Sequence, residues 1–206
     1  MRRAKGVAIM HITMSSELRP RPTFEELYAR IRALPESVTA QILEPGVLTT
    51  MGRPGVPHAH AQTLIDDWLR TRDVRRGGTG WWILREMEVR FPGDLLAVPD
   101  LAGWRVDRVA KLPNENPFTV LPDWCCEILS PSTTRADRVL KLPLYARAGV
   151  RWTWLVDPEA RLVEVYESVG ERPMRVASAL DEEHLTLPPF EDEAPVASRW
   201  MPEETP

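Results

Sequence analysis

Residues 122–156 constrain the fold more than any other part of the chain. Pro122 and Pro131 bracket the apolar run Trp124-Cys125-Cys126-Glu127-Ile128-Leu129, which reads as a short strand. Thr134 can cap a helix, with Asp137 three residues on, and the helical pattern lasts to Ala148 before Gly149 stops it. Pro143 inside that helix removes a backbone donor, so a bend is expected there. Residues 152–156 and 162–166 then form a hairpin around Asp157-Pro158-Glu159-Ala160. The stretch 130–150 is long enough for a helical crossover that returns the chain parallel to an earlier strand.

The upstream half supplies the partners. Thr23-Phe24-Glu25-Glu26 is a capping-box pattern, and Phe24, Leu27, Tyr28, Ile31 and Leu34 recur at helical spacing until Pro35. Residues 38–43 and 47–51 read as two strands around Glu44-Pro45-Gly46. A second helix over 59–72 carries Ala61, Leu64, Ile65, Trp68 and Leu69, and Arg75-Arg76-Gly77-Gly78-Thr79-Gly80 breaks it. A strand over 81–91 turns at Pro92-Gly93-Asp94 into another over 95–106, interrupted by Pro99 and Gly103, and a further strand is marked near 174–177. The central order is helix, three strands, helix, strand. It predicts a mixed α+β (α/β) fold: one mixed sheet over 59–156 with helices on its faces, plus an N-terminal helix and hairpin.

The 206 residues suit one domain. Residues 1–22 read as an irregular arm, 23–180 as a single domain and 181–206 as a tail. The tail holds eight acids and one arginine, and it is expected to be loosely ordered. No window approaches the ~18 apolar residues of a membrane span. The apolar stretch after Arg2, Arg3 and Lys5 is too short for a secretory signal and is broken by His11. Cys125 and Cys126 are adjacent in an apolar run and act as small buried hydrophobes, which points to the cytoplasm. Phosphate-binding glycine fingerprints, a Gly-x-Ser-x-Gly elbow and Cys-x-x-Cys pairs are all missing, and Ser130 and Ser132 lack a His-Asp partnership.

Two acids stand where strands prefer apolar groups: Asp100 after Val98-Pro99, and Glu127 within 124–129. An unpaired buried carboxylate costs several kcal/mol or becomes protonated. Pairing with an arginine such as Arg105 or Arg138 relieves that cost, and so does a divalent cation. His58 and His60 stand at i,i+2 and share no helix face, which argues against a histidine zinc site; His60 is a candidate to point into the cleft. The run Arg70, Arg72, Arg75, Arg76 and the group Arg135, Arg138, Arg147, Arg151 are either solvated surface or phosphate contacts. The tryptophans suit the core first and base stacking second.

The chain resembles the Uma-type (DUF820-like) family, described as restriction endonucleases of the PD-(D/E)XK nuclease superfamily. The resemblance covers 23–167. It is carried by Val98-Pro99-Asp100-Leu101, the run from Pro122-Asp123-Trp124 through Ser130-Pro131-Ser132-Thr133, Asp137-Arg138, Lys141, Tyr145-Ala146-Arg147-Ala148-Gly149-Val150 and Trp154-Leu155-Val156-Asp157-Pro158. It implies the restriction-endonuclease-like αβββαβ core. It also implies that Asp100 and Glu127 are the catalytic acids, holding Mg²⁺ or Mn²⁺ for cleavage of DNA. Two positions depart from the family pattern. Leu129 stands where a lysine is usual, which makes Lys141, one of three lysines against 23 arginines, the candidate for a migrated lysine; Gln41 stands where a glutamate is frequent. Glu88, on the strand leading into the Asp100 hairpin, is a further candidate metal ligand, and His60, Arg75, Arg76 and Arg138 are candidate substrate contacts. The expected function is a metal-dependent endonuclease. The alternative is a nuclease-like module that binds nucleic acid or a protein without cutting. The strand content leaves a homodimer open.

Overall fold

The strand containing Glu127 is covered on both faces. β7 (Trp124–Ile128) alternates Trp124, Cys126 and Ile128 toward one apolar core with Cys125 toward another, and every residue of it is buried. The computed structural model describes residues 20–52, 55–184, 186–191 and 197–201. Most of the N-terminal arm and parts of the tail therefore lie outside the described residues.

The N-terminal unit matches its sequence signals. α1 (Phe24–Arg32) carries the capping box: the Glu26 N–H donates to Thr23 Oγ1 at 3.3 Å, and the Thr23 N–H donates to Glu26 Oε2 at 2.8 Å. β1 (Thr39–Glu44) and β2 (Val47–Met51) form an antiparallel hairpin. α2 (Val56–Trp68) follows, with Pro57 in its first turn.

One expectation is corrected here: the two long strands each break in two, and the single sheet becomes two. β3 (Trp81–Arg85) and β4 (Val89–Phe91) replace the first, and β5 (Leu95–Ala97) and β6 (Leu101–Arg105) the second. Pro99 has no N–H to continue the ladder, and across from it Glu86 adopts a positive φ of 51°. The hairpin bends at this pair, where the Glu86 N–H donates to the Asp100 carbonyl at 3.3 Å. Its tip joins the first sheet, ordered β2-β1-β5-β4, and its base joins a second.

With β8 (Trp152–Asp157), β9 (Leu162–Val169) and β10 (Arg172–Leu180), the second sheet is six-stranded, ordered β10-β9-β8-β7-β6-β3. β7 and β8 run parallel and the other neighbours antiparallel, so the sheet is mixed. The parallel pair is joined by a helical rod over 134–148: α3 (Thr134–Ala136), a π-helical turn Asp137–Lys141, and α4 (Leu142–Ala148). Pro143 explains the π turn, because it cannot donate to the Val139 carbonyl and its ring crowds that group. The expected bend is thus realised as a widened turn. α2, β3, β6, β7, the rod and β8 give the helix, three strands, helix, strand order. Among the described residues no helix is long and apolar enough to cross a membrane.

The described part of the tail packs onto the body of the protein. Leu187, Phe190, Ala197, Trp200 and Met201 are buried against α2 and the larger sheet, and Trp154 Nε1 donates to the Pro188 carbonyl at 2.7 Å. Net acidity hid these apolar anchors. Phe190 stands edge-on to Trp81, Trp124 and Trp154, with ring centroids 5.0, 5.3 and 5.5 Å away. Phe190→Ala is therefore expected to lower folding stability by about 3–5 kcal/mol. Urea unfolding at unchanged m would show it, and an unaltered midpoint would mean that the tail does not hold this core together.

Candidate active site

Pro99 and the bend at Glu86 present Asp100 at the crossing between the two sheets. The register Leu101↔Cys126 places Asp100 beside the Glu127 end of β7. Asp100 Oδ2 accepts the Ile128 N–H at 2.6 Å, and Oδ1 lies 3.1 Å from His58 Nε2. The Asp100 carbonyl accepts from Gln62 Nε2 at 3.1 Å. Gln41, fully buried, accepts the Val98 N–H at 2.9 Å and so fixes the Ala97–Val98 peptide ahead of Pro99.

Glu127 faces the helical rod. Residues 137, 141 and 145 recur at i, i+4, i+8 and bring Asp137, Lys141 and Tyr145 to one side. Lys141 Nζ donates to Glu127 Oε2 at 2.7 Å and lies 3.1 Å from Asp137 Oδ1 and 3.4 Å from the Val98 carbonyl. Tyr145 OH donates to Glu127 Oε1 at 2.5 Å. Glu127, Asp137 and Lys141 are each only 1% exposed. The Lys141–Asp137 pair, four residues apart on the rod, is out of contact with solvent.

Three carboxylates around one lysine shift one another. Burial pushes Glu127 up to about 8; the Lys141 charge opposes the rise, and Asp137 and Asp100 reinforce it. Burial also raises Asp137, against the Lys141 charge. For Lys141, burial disfavours the ammonium, but Glu127, Asp137 and Asp100 outweigh it and hold the proton more tightly than usual. His58 behaves alike: burial opposes its protonation, and the hydrogen bond and charge of Asp100 raise it on balance. Burial lifts both cysteine thiols well above their ordinary range, which leaves them inert.

A cavity of about 70 Å³ opens beside Asp100, lined among others by His58, Glu86, Ser130, Ser132 and Thr133. The other sequence candidates lie elsewhere. Glu88 accepts from Tyr28 OH at 2.7 Å and does not line this cavity; the positive φ at Glu86 breaks the strand alternation, and Glu86 takes the place expected of Glu88. His60 is exposed, and His58, two residues back on α2, is the histidine that meets Asp100. Arg75 is bound to Asp73, Arg76 to Asp66 and Asp67, and Arg138 to Glu164, so none of the three reaches the cavity. Sequence reasoning missed His58, Tyr145 and Glu86 and gave Asp137 only a local role. The period-four recurrence of Asp137, Lys141 and Tyr145 was the available signal.

Among the described residues, no three His, Cys, Asp or Glu side chains converge as a metal-ion cluster. The donor chemistry nevertheless suits a hard divalent cation, because Asp100 and Glu127 offer carboxylate oxygens. The Asp100 side chain is 18% exposed and opens on the cavity. Glu127 would join it by exchanging one of its two hydrogen-bond partners for the ion.

Comparison with known proteins adds identity to this geometry. The sequence model of the family Uma2, "Putative restriction endonuclease", matches residues 24–196. The chain belongs to the Uma2 family. No curated protein matches it. The fold is similar to the crystal structure of a "putative nuclease belonging to DUF820" from Anabaena variabilis, with a TM-score of 0.67 at 21% identity, covering 87% of this chain and 97% of that one. In this Uma2 chain the family's usual lysine position, two residues after Glu127, is Leu129, which is buried. Lys141, on the crossover rod, is buried as well.

The charge cluster predicts an unusual pH dependence for the metal-free protein. Native Glu127 keeps its proton up to about 8, whereas the unfolded chain loses it near 4.5. Its contribution to stability is full below 4.5 and is lost as pH rises toward 8. Asp137 and His58, both raised, act with the same sign. Stability measured by urea in chelator is expected to fall across this window by up to about 1.4 kcal/mol per pH unit per proton. Glu127→Gln should flatten the slope, and a wild type of constant stability from pH 5 to 8 would contradict the shift.

Proposed function

We propose that this Uma2 protein is a divalent-metal-dependent endonuclease that hydrolyses phosphodiester bonds in DNA. The observation that carries this reading is the cavity beside Asp100. Two carboxylates, Asp100 and Glu86, line it, and no lysine or arginine does so among the described residues. A phosphodiester is an anion, and that lining repels it. A hard cation on Asp100 and Glu127 offsets the charge of that lining and gives the phosphate a positive centre to meet. Mg²⁺ or Mn²⁺ held there supplies Lewis acidity toward the phosphate, a lowered pKa for water and charge opposite the leaving oxygen.

The chain's own residues orient and balance. His58 and the Ile128 N–H hold the two Asp100 oxygens, so the carboxylate is aimed before substrate arrives. Lys141 and Tyr145 hold Glu127 in the same way. The Lys141 charge, fixed in a water-excluded site, offsets negative charge that builds on the phosphate in the transition state. The hydroxyls of Ser130, Ser132 and Thr133 on the cavity wall can donate to phosphate oxygens.

A second reading, a module that binds nucleic acid or a protein without cutting, is favoured by one observation. Both Glu127 oxygens already accept hydrogen bonds in a site closed to solvent. Cleavage separates the two readings. With Mg²⁺ or Mn²⁺ on mixed DNA substrates, Asp100→Asn and Glu127→Gln should each reduce the rate by about 100-fold or more, at unchanged circular dichroism. Salt-dependent binding with no cleavage under any metal, indifferent to both substitutions, would support the second reading instead.

A further inference from the structure

A second cavity, of about 250 Å³, lies against the first and shares His58, Ser130 and Ser132 with it. Its volume is below the roughly 300–1,000 Å³ of sites for drug-sized ligands, which suits a single ring system. Pro57, Pro131 and Pro158 supply flat apolar walls, and the buried Leu129 lies at its base. Leu129 therefore lines this pocket at the position where the family pattern has a lysine. Apart from His58, whose imidazole is bound to Asp100, the charged group on the lining is the exposed carboxylate of Glu159, and no lysine or arginine stands there among the described residues.

We propose that this cavity takes an unpaired nucleobase of the substrate strand, from a nucleotide next to the phosphate held at Asp100. The proposal rests on the nuclease reading and narrows its substrate class. The lining rejects phosphate by charge and accepts a neutral, flat, largely apolar group. Glu159 and the Ser132 hydroxyl on the lining give such a group polar partners. A carboxylate only accepts, so it favours bases with an exocyclic amine and disfavours thymine, whose N3–H is flanked by two carbonyl oxygens. The wall shared by the two cavities keeps base and phosphate within the span of adjacent nucleotides. A base stacked and paired in a duplex cannot enter, so the substrate presents a single-stranded, bulged or flapped nucleotide at the cut. The proposed substrate class is therefore DNA with an unpaired base at the scissile bond rather than continuous duplex.

The test uses 20-nucleotide oligonucleotides in three forms: single strand, perfect duplex, and duplex with a one-nucleotide bulge. The unpaired position carries cytosine, thymine or the fluorescent adenine analogue 2-aminopurine. Cleavage is followed with Mn²⁺, and 2-aminopurine fluorescence with Ca²⁺. Two variants report on the pocket. Among the described residues a Cβ at Gly55, which lines the cavity, would meet Pro57 alone, at an unstrained 3.8 Å, so Gly55→Phe adds bulk at the cavity wall without a backbone clash. Glu159→Gln keeps the shape and adds a donor. Expected are cleavage of bulged or single-stranded DNA at least 10-fold faster than duplex, cytosine favoured over thymine at least 3-fold, and a change in 2-aminopurine emission on binding. Gly55→Phe should abolish the substrate preference and the emission change, and Glu159→Gln should erase the discrimination against thymine. Duplex cut as fast as bulged DNA, or a preference untouched by Gly55→Phe, would overturn the pocket and leave the nuclease reading standing. An emission change lost in Gly55→Phe, with no cleavage under any metal, would uphold the pocket and overturn the nuclease reading. Neither cleavage nor an emission change would overturn both.

Discussion

The Lys141 ammonium sits out of contact with solvent between the carboxyl groups of Glu127 and Asp137. Burying one partner alone would be prohibitive, and removing one from such a pair typically costs about 3–5 kcal/mol. The contacts of Lys141 therefore fix geometry as well as charge. They tie the crossover rod to β7 through Glu127, and to the start of the Pro99 bend through the Val98 carbonyl. Gln41 holds the N–H of Val98, so the first hairpin is locked to the same point. Three separate stretches of chain thus meet where Asp100 is presented.

That junction also explains why there are two sheets. Pro99 cannot continue a ladder, and Glu86 turns away from strand geometry directly across the hairpin. The bend opens the cavity beside Asp100 and leaves its carboxylate partly accessible, while Glu127, one strand over, is sealed. One acid is thus ready for a ligand, and the other is held in reserve by Lys141 and Tyr145. The pair carries opposing demands: burial holds a proton on Glu127, and a cation at Asp100 would drive it off.

Much of this was legible in the residues. Strand, crossover and parallel strand followed from the prolines around 124–129 and the helical period after Thr134. Asp100 and Glu127 stood out because acids are costly in apolar strands. What escaped depends on backbone geometry that period counting assumes away. The positive φ at Glu86 reverses strand parity, which exchanged Glu86 for Glu88. The phase of α2 chose His58 over His60, and nothing in the composition fixes that phase. Pro143 widened the rod into a π turn, so that Asp137, Lys141 and Tyr145 line up on Glu127. In the tail the net charge drew attention away from Phe190 and Trp200, two large buried anchors among many acids.

Calorimetric titration with Mn²⁺ at pH 6, 7 and 8, in buffers of differing ionisation enthalpy, probes the Asp100–Glu127 pair most directly. One ion per chain is expected, bound more tightly as pH rises, with a proton released because Glu127 holds one up to about 8 in the metal-free protein. Asp100→Asn should abolish the binding. Binding that ignores both pH and Asp100→Asn, or no binding at any of the three pH values, would contradict a cation site built from these two carboxylates.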